Sequence, residues 1–244
     1  MPDRNRTDRL GLPPRPSLAT PRESLNKAAS VLKWRRWEVQ KEHGEEGNQL
    51  RYVSMFYNDL LAGKSWKILE IGVSAGGSAM MFGLGSSTST YVGLDINLKN
   101  VQTCPEGYPK NVTLLEGDVK DPKIVERLAA LGPFDLIIDD GSHYMEDQVA
   151  ALKGLFPLLA PGGYFVIEDI NLLRSRGYTN NRGIEQVREG ATILKFLADT
   201  AFDNILPAKP EDWFFGLSSI EFKRLASPAA SLVVLRKGSD ASSS

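Results

Sequence analysis

The stretch Phe134–Gln148, FDLIIDDGSHYMEDQ, runs an apolar segment straight into Asp139 and Asp140 and, three residues on, His143. The chain has two histidines in 244 residues, and one of them stands beside paired carboxylates. Carboxylates next to an imidazole can hold a divalent ion or move a proton. The same residue types also suit the plain start of a helix, where Asp, Ser and Gly are common. A second acidic pair, Glu168 and Asp169, ends another apolar run, YFVIEDI at 164–170. Carboxylates gathered at one place repel, and two unit charges ~4 Å apart cost about 4 kcal/mol at an effective dielectric near 20. Either some of them carry protons or a cation joins them. An all-oxygen set with no cysteine favours a hard ion, Mg²⁺ ahead of Mn²⁺ or Ca²⁺. A solvated acidic rim is the competing reading. His43, in QKEHGEE, reads as a surface residue.

A second group of residues suits a nucleoside. LEIGVSAGGS (69–78) follows an apolar run and opens a helical segment, so its main chain can approach a ligand closely. The spacing is not that of a dinucleotide loop, because Ser74 stands where the second glycine of Gly-x-Gly is needed. Glu70 precedes the loop, and Asp95 ends the next apolar run, where a carboxylate can accept from both ribose hydroxyls. Asp118 ends the run after that, placed to meet an adenine edge. Acidic groups with no basic residue for a diphosphate point to a cationic cofactor without phosphate, S-adenosylmethionine, rather than NAD. The candidate cofactor-binding residues are Glu70, Gly72, Ser74, Gly76, Asp95, Asp118 and Asp139. Taken singly, each acidic member suits a helix N-cap equally well.

These residues need elements to position them. KILEIGV (67–73), TYVGLDI (90–96), VTLLEGD (112–118), FDLIIDD (134–140) and YFVIEDI (164–170) read as strands. Between them lie GGSAMMFGL, a shorter connection near Leu98–Thr103, DPKIVERLAAL and HYMEDQVAALKGLFPLLA, with APGG (160–163) ending the last helix. Strands alternating with helices mean a parallel sheet with crossover helices. FFGLSSIEFKRL and SLVVLRKG then read as a terminal hairpin around ASPAA. The expected organisation is a flexible leader over 1–22, a helical segment over 23–64, a single α/β domain over 65–238 and a disordered tail over 239–244. The leader holds five of the chain's fourteen prolines, too many for a packed segment. Aromatics in the helical segment, such as Trp34, Trp37, Phe56 and Tyr57, read as core packing. Trp213, Phe214, Phe215 and the loop 171–184 flank a possible acceptor pocket, with core the alternative for the aromatics.

Composition narrows the function classes. Lys and Arg total 29 against 30 for Asp and Glu, which gives no basic face for nucleic acid or an anionic membrane. Cys104 is the lone cysteine, so disulfides and cysteine-based zinc sites are excluded. No apolar run approaches the ~20 residues of a membrane span, and no secretory segment opens the chain. A cytoplasmic protein is expected.

LEIGVSAGGS, GLDI, EGDVKDP, FDLIIDDGSH, LFPLLAPGG and FVIEDI together resemble class I S-adenosylmethionine-dependent methyltransferases. They are most similar to the metal-dependent sugar and macrolide O-methyltransferases of antibiotic biosynthesis, the mycinamicin and macrocin type. The resemblance covers about 67–237, and IDDGSH followed by IED is its specific part. It implies a Rossmann-like α/β fold with a seven-stranded, mostly parallel sheet whose last strand is antiparallel. It also implies Asp140, Glu168 and Asp169 as metal ligands, with His143 as the general base of methyl transfer to a hydroxyl. The implied partner is a hydroxylated natural product or sugar-bearing small molecule, with self-association left open. Two rival readings stand beside it: a biosynthetic or regulatory S-adenosylmethionine-binding protein without methyl transfer, and a metal-independent O- or N-methyltransferase using His143 alone. The presence of His143 with every acidic position counts against both.

Overall fold

Strands that are apolar on both faces need cover on both faces, and crossover helices supply it. In the computed structural model, residues 56–57, 60–61, 64–85, 88–101, 107–170, 193–205, 216–224 and 231–239 are described. The leader, most of the helical segment, the loop 171–184, Trp213–Phe215 and the tail from 240 onward lie outside them, as do His43 and Cys104. The strands are β1 (Trp66–Ile71), β2 (Thr88–Asp95), β3 (Val112–Glu116), β4 (Phe134–Asp139), β5 (Leu159–Ile167), β6 (Leu217–Arg224) and β7 (Ser231–Lys237). The helices are α1 (Gly77–Leu84), α2 (Pro122–Leu131), α3 (Met145–Leu155) and α4 (Ile193–Ile205). One seven-stranded sheet holds all the strands in the order β3-β2-β1-β4-β5-β7-β6. The first five strands pair in parallel, whereas β7 runs antiparallel to both β5 and β6. The expected seven-stranded sheet and its closing hairpin are both present. No described helix is long and apolar enough to cross a membrane.

Side-chain alternation divides the core into two layers. Leu69, Ile71, Val92, Leu94, Ile137, Phe165 and Ile167 pack with Leu128 of α2, Leu152 and Leu155 of α3, and Ile193 and Leu197 of α4. Ile68, Tyr91, Leu136, Ile138 and Val166 pack with Ala79, Met81 and Phe82 of α1 and with Tyr57 and Leu61. Each fully buried aliphatic side chain contributes roughly 1.5–3 kcal/mol relative to exposure.

Local chemistry sets the helix ends. Asp121 caps α2 by accepting from the Lys123 N–H at 2.9 Å, and Pro122 takes a position where a missing N–H costs nothing. α3 ends at Leu155, earlier than the APGG segment suggests, and a 3-10 turn follows over Phe156–Leu158. Pro157 cannot donate to the α-helical ladder, which accounts for the early stop. APGG consequently lies inside β5, where the pairing slips: Phe134 sits opposite Leu159, but Leu136 sits opposite Tyr164. The strand run YFVIEDI is also shorter than expected, because β5 ends at Ile167 and leaves Glu168 and Asp169 just beyond the sheet.

The order of the strands reverses between β1 and β4, and a crevice opens at their carboxyl ends. There the chain passes itself closely at Gly72, whose φ is +90°. A Cβ on Gly72 would lie 2.1 Å from the Asp140 carbonyl oxygen. Gly72→Ala is therefore expected to lower unfolding free energy by at least about 2 kcal/mol, the left-handed penalty plus forced movement of the β4 end. A urea midpoint equal to wild type would show that this crossing has slack.

Candidate active site

The sheet ladder continues one residue past its parallel strands, so the loops leave from fixed points. The N–H groups of Gly72, Asp140 and Glu168 donate to the carbonyls of Leu94, Ile71 and Asp139, each at 2.9 Å. Beyond those bonds the chain turns sharply. Among the described residues, the non-glycine positions with left-handed backbone are Ser74 (φ 50°), His143 (φ 61°) and Asp169 (φ 50°). All three belong to the candidate set. Such conformations cost about 1–2 kcal/mol each and persist where surrounding bonds over-determine them.

A cavity of ≈ 370 Å³ lies over the switch between β1 and β4. Gly72, Ser74, Asp95, Asp118 and Asp139 line it, five of the seven expected cofactor residues, and Asp140 joins them. Glu70 and Gly76 are outside its lining. Asp95 ties the glycine loop to the end of β2: its Oδ2 accepts from the Ser74 N–H and its Oδ1 from the Asn97 N–H, both at 2.9 Å. Each oxygen keeps a second lone pair for a ligand hydroxyl. Asp118 Oδ1 accepts from the Lys120 N–H at 2.9 Å. Leu94, Val119 and Ile96 give the cavity an apolar wall, with Ile96 71% exposed.

Sequence reasoning passed over several of these wall residues. Asp147 accepts from Lys120 Nζ at 2.7 Å and from Ser142 Oγ at 2.6 Å, joining the loops after β3 and β4 across the cavity. The available signals were an apolar Ile directly after the strand-end carboxylate in GLDI, and a lysine two residues after Asp118.

Alternation puts Asp139 on the α3 side and turns Glu70, Asp140 and Glu168 towards the α1 side. Asp139 is 4% exposed. Its Oδ1 accepts from the Gly141 N–H at 3.2 Å, while its buried Oδ2 has no hydrogen-bond partner among the described residues. Burial pushes this carboxyl up to about 6, against the opposing Gly141 bond and with a smaller push from Asp147. A cation or a donor from a ligand would satisfy that oxygen.

On the other side, burial lifts Glu70 to about 7, opposed by hydroxyl donors from Tyr91 and Ser78 and aided by the charge of Asp95. Glu70 thus faces its own protein partners rather than the cavity. Burial lifts Glu168 to about 8, opposed by the Tyr57 hydroxyl, which donates to its Oε1 at 2.5 Å. Asp140 lies well above the usual carboxylate range, first through burial and then through Glu168, Glu70, Asp169 and Asp139.

Asp140, His143 and Asp169 each offer a ligand atom, and the three atoms lie within 4.8 Å of one another. Asp140 and Asp169, with further carboxyl groups around them, offer oxygen ligands to a divalent ion, and the His143 imidazole stands beside them. Of the three expected metal residues, the structure brings together Asp140 and Asp169, with His143 beside them. Glu168 is adjacent in sequence but engages Tyr57 through one oxygen. Burial lowers His143 to about 4, opposed by a hydrogen bond to the Glu168 main chain. The imidazole is accordingly neutral near pH 7, and the same burial makes it a weaker base than an exposed histidine.

Residues 69–170 match the family model for a methyltransferase domain. The chain is 38% identical over 112 residues to the demethylmacrocin O-methyltransferase of Streptomyces fradiae, covering 43% of this chain and 27% of that protein. It is 32% identical over 154 residues to the mycinamicin VI 2''-O-methyltransferase of Micromonospora griseorubida, covering 59% and 37% respectively. The chain thus spans well under half the length of these relatives. The MycE methyltransferase of the mycinamycin biosynthetic pathway, solved with Mg and SAH, superposes with a TM-score of 0.61 at 22% identity. That match covers 88% of this chain and 54% of the other, and it supports the fold.

Burial of Glu70 has a consequence for stability. Its folded pKa of about 7 exceeds the ordinary 4.5, so its contribution is fully present below pH 4.5 and is lost as pH rises through 7. A shift of that size corresponds to about 3 kcal/mol. Glu70→Gln, which removes the ionisation, is expected to flatten the decline in unfolding free energy between pH 4.5 and 7 by up to that amount. Parallel pH profiles for wild type and variant would contradict the burial argument.

Proposed function

We propose that this chain is an S-adenosylmethionine-dependent, divalent-metal-dependent O-methyltransferase acting on a hydroxyl of a sugar-bearing small molecule, with His143 as general base. The observation that carries the reading is the meeting of Asp140, His143 and Asp169 within 4.8 Å, inside a methyltransferase domain and beside its cavity. Relatives named as macrolide and rhamnosyl O-methyltransferases support a sugar hydroxyl as acceptor.

In this reading Asp95 and Asp118 hold the nucleoside, and the unpartnered Oδ2 of Asp139 favours the cationic part of the cofactor. Asp140, Asp169 and Glu168 hold the ion, Mg²⁺ in preference to Mn²⁺ or Ca²⁺. When bound, a divalent ion supplies charge that makes an acceptor hydroxyl easier to deprotonate, and the cofactor supplies the methyl group. His143, neutral and next to Asp140, takes the hydroxyl proton. In support of this role, the imidazole offers a ring nitrogen within 4.8 Å of a carboxylate oxygen of Asp140 and of Asp169. The remaining contribution of the chain is alignment and exclusion of water.

Three measurements test this. S-adenosylhomocysteine is expected to raise the melting temperature while NAD does not; EDTA is expected to abolish turnover of a glycosylated acceptor, with Mg²⁺ restoring it and nucleoside binding surviving. Full activity in chelator after metal-free preparation would remove the ion from the mechanism. His143→Ala is expected to lower turnover roughly 10²–10⁴-fold with acceptor binding little changed. Near-wild-type turnover in that variant would assign the proton to another base.

A further inference from the structure

Tyr57 comes from outside the methyltransferase match, on a helical turn closed by a 2.8 Å bond from the Leu61 N–H to the Tyr57 carbonyl. Its side chain is 1% exposed. The ring meets Phe82 of α1 edge-on, with centroids 5.6 Å apart, and Phe56 at 5.1 Å. Packed on both sides, it has no room to swing. The apolar packing does not use the hydroxyl, since a phenylalanine ring would fill the same volume. Yet the hydroxyl reaches across 111 positions of sequence to donate to Glu168 Oε1 at 2.5 Å.

A buried phenol and a buried carboxyl that satisfy each other are accounted for as a pair. The bond engages Oε1 and not Oε2. Glu168 sits between Asp139, whose carbonyl accepts its N–H, and Asp169, whose carboxyl belongs to the three-residue cluster. We propose that Tyr57 is a positioning residue for the divalent ion: it grips Glu168 by Oε1 and leaves Oε2 as the ligand atom. The proposal rests on the metal-dependent reading above. It makes the helical segment before the methyltransferase domain part of the ion site, through one hydroxyl on a rigid ring. Hydrogen bonds that orient a ligating carboxylate are commonly worth 10–100-fold in metal affinity.

The test titrates Mn²⁺ into the protein, reading free ion by electron paramagnetic resonance, and titrates S-adenosylhomocysteine by calorimetry. Tyr57→Phe is expected to weaken Mn²⁺ binding about 10–100-fold and to change the S-adenosylhomocysteine Kd less than twofold. In a Glu168→Gln background, Tyr57→Phe is expected to have no further effect on Mn²⁺. Three results would overturn the proposal. Unchanged Mn²⁺ affinity in Tyr57→Phe, with wild type binding the ion, refutes the positioning role and leaves the metal-dependent reading standing. A parallel loss of Mn²⁺ affinity, S-adenosylhomocysteine affinity and melting temperature makes Tyr57 a core residue only. Failure of the wild-type protein to bind Mn²⁺ removes both readings together.

Discussion

Like charges with little water between them set the terms for this molecule. Glu70, Asp139, Asp140, Glu168 and Asp169 all stand at or near the carboxyl ends of three adjoining strands. Burial, with smaller pushes from neighbouring carboxylates, raises Glu70, Asp139 and Glu168 well into or near the neutral range. The fold answers with separate donors: Tyr91 and Ser78 for Glu70, the Gly141 main chain for Asp139, and Tyr57 for Glu168. Alternation along the strands adds a second answer, since it sends Asp139 to one side of the sheet and its neighbour Asp140 to the other. The cavity and the candidate ion cluster therefore share a boundary without sharing every charge.

Holding that arrangement requires a stiff frame. The loops leave the sheet from bonded positions, and their first turns use conformations that most side chains avoid. Ser74, His143 and Asp169 adopt them without glycine's freedom, while Gly72 has no alternative because the Asp140 carbonyl fills the space of its missing Cβ. A site built this way loses little ordering entropy when a ligand arrives.

Much of this was legible in the chain. Apolar runs of strand length, each ending in an acidic residue, marked the sheet and the end at which chemistry belongs. Their limits were less legible: APGG reads as a helix terminator, yet Pro157 stops the helix first and the strand absorbs the glycines in a slipped pairing. Glu70 was grouped with the nucleoside residues from its place before the glycine loop, whereas Tyr91 and Ser78 claim its carboxyl in the fold. Tyr57 looked like one more aromatic on an amphipathic helix. A hydroxyl aimed at a carboxylate 111 residues away has no local signature. Likewise, the Lys120–Asp147 bond across the cavity depends on the loop after β3 meeting the first turn of α3, which spacing along the chain does not encode.

The placement of β7 bears on the order in which the molecule can be completed. It lies between β5 and β6, pairing Val233 with Ile167, and the Ser231 carbonyl accepts from the Ile170 N–H at 3.4 Å. The turn carrying Glu168 and Asp169 is thus bracketed by β4 on one side and by the last strand on the other. A chain leaving the ribosome shows every acidic residue of the site some sixty residues before that bracket exists. During that interval the repelling carboxylates lack one wall of their frame, and translation must pass residue 237 before the candidate site is closed.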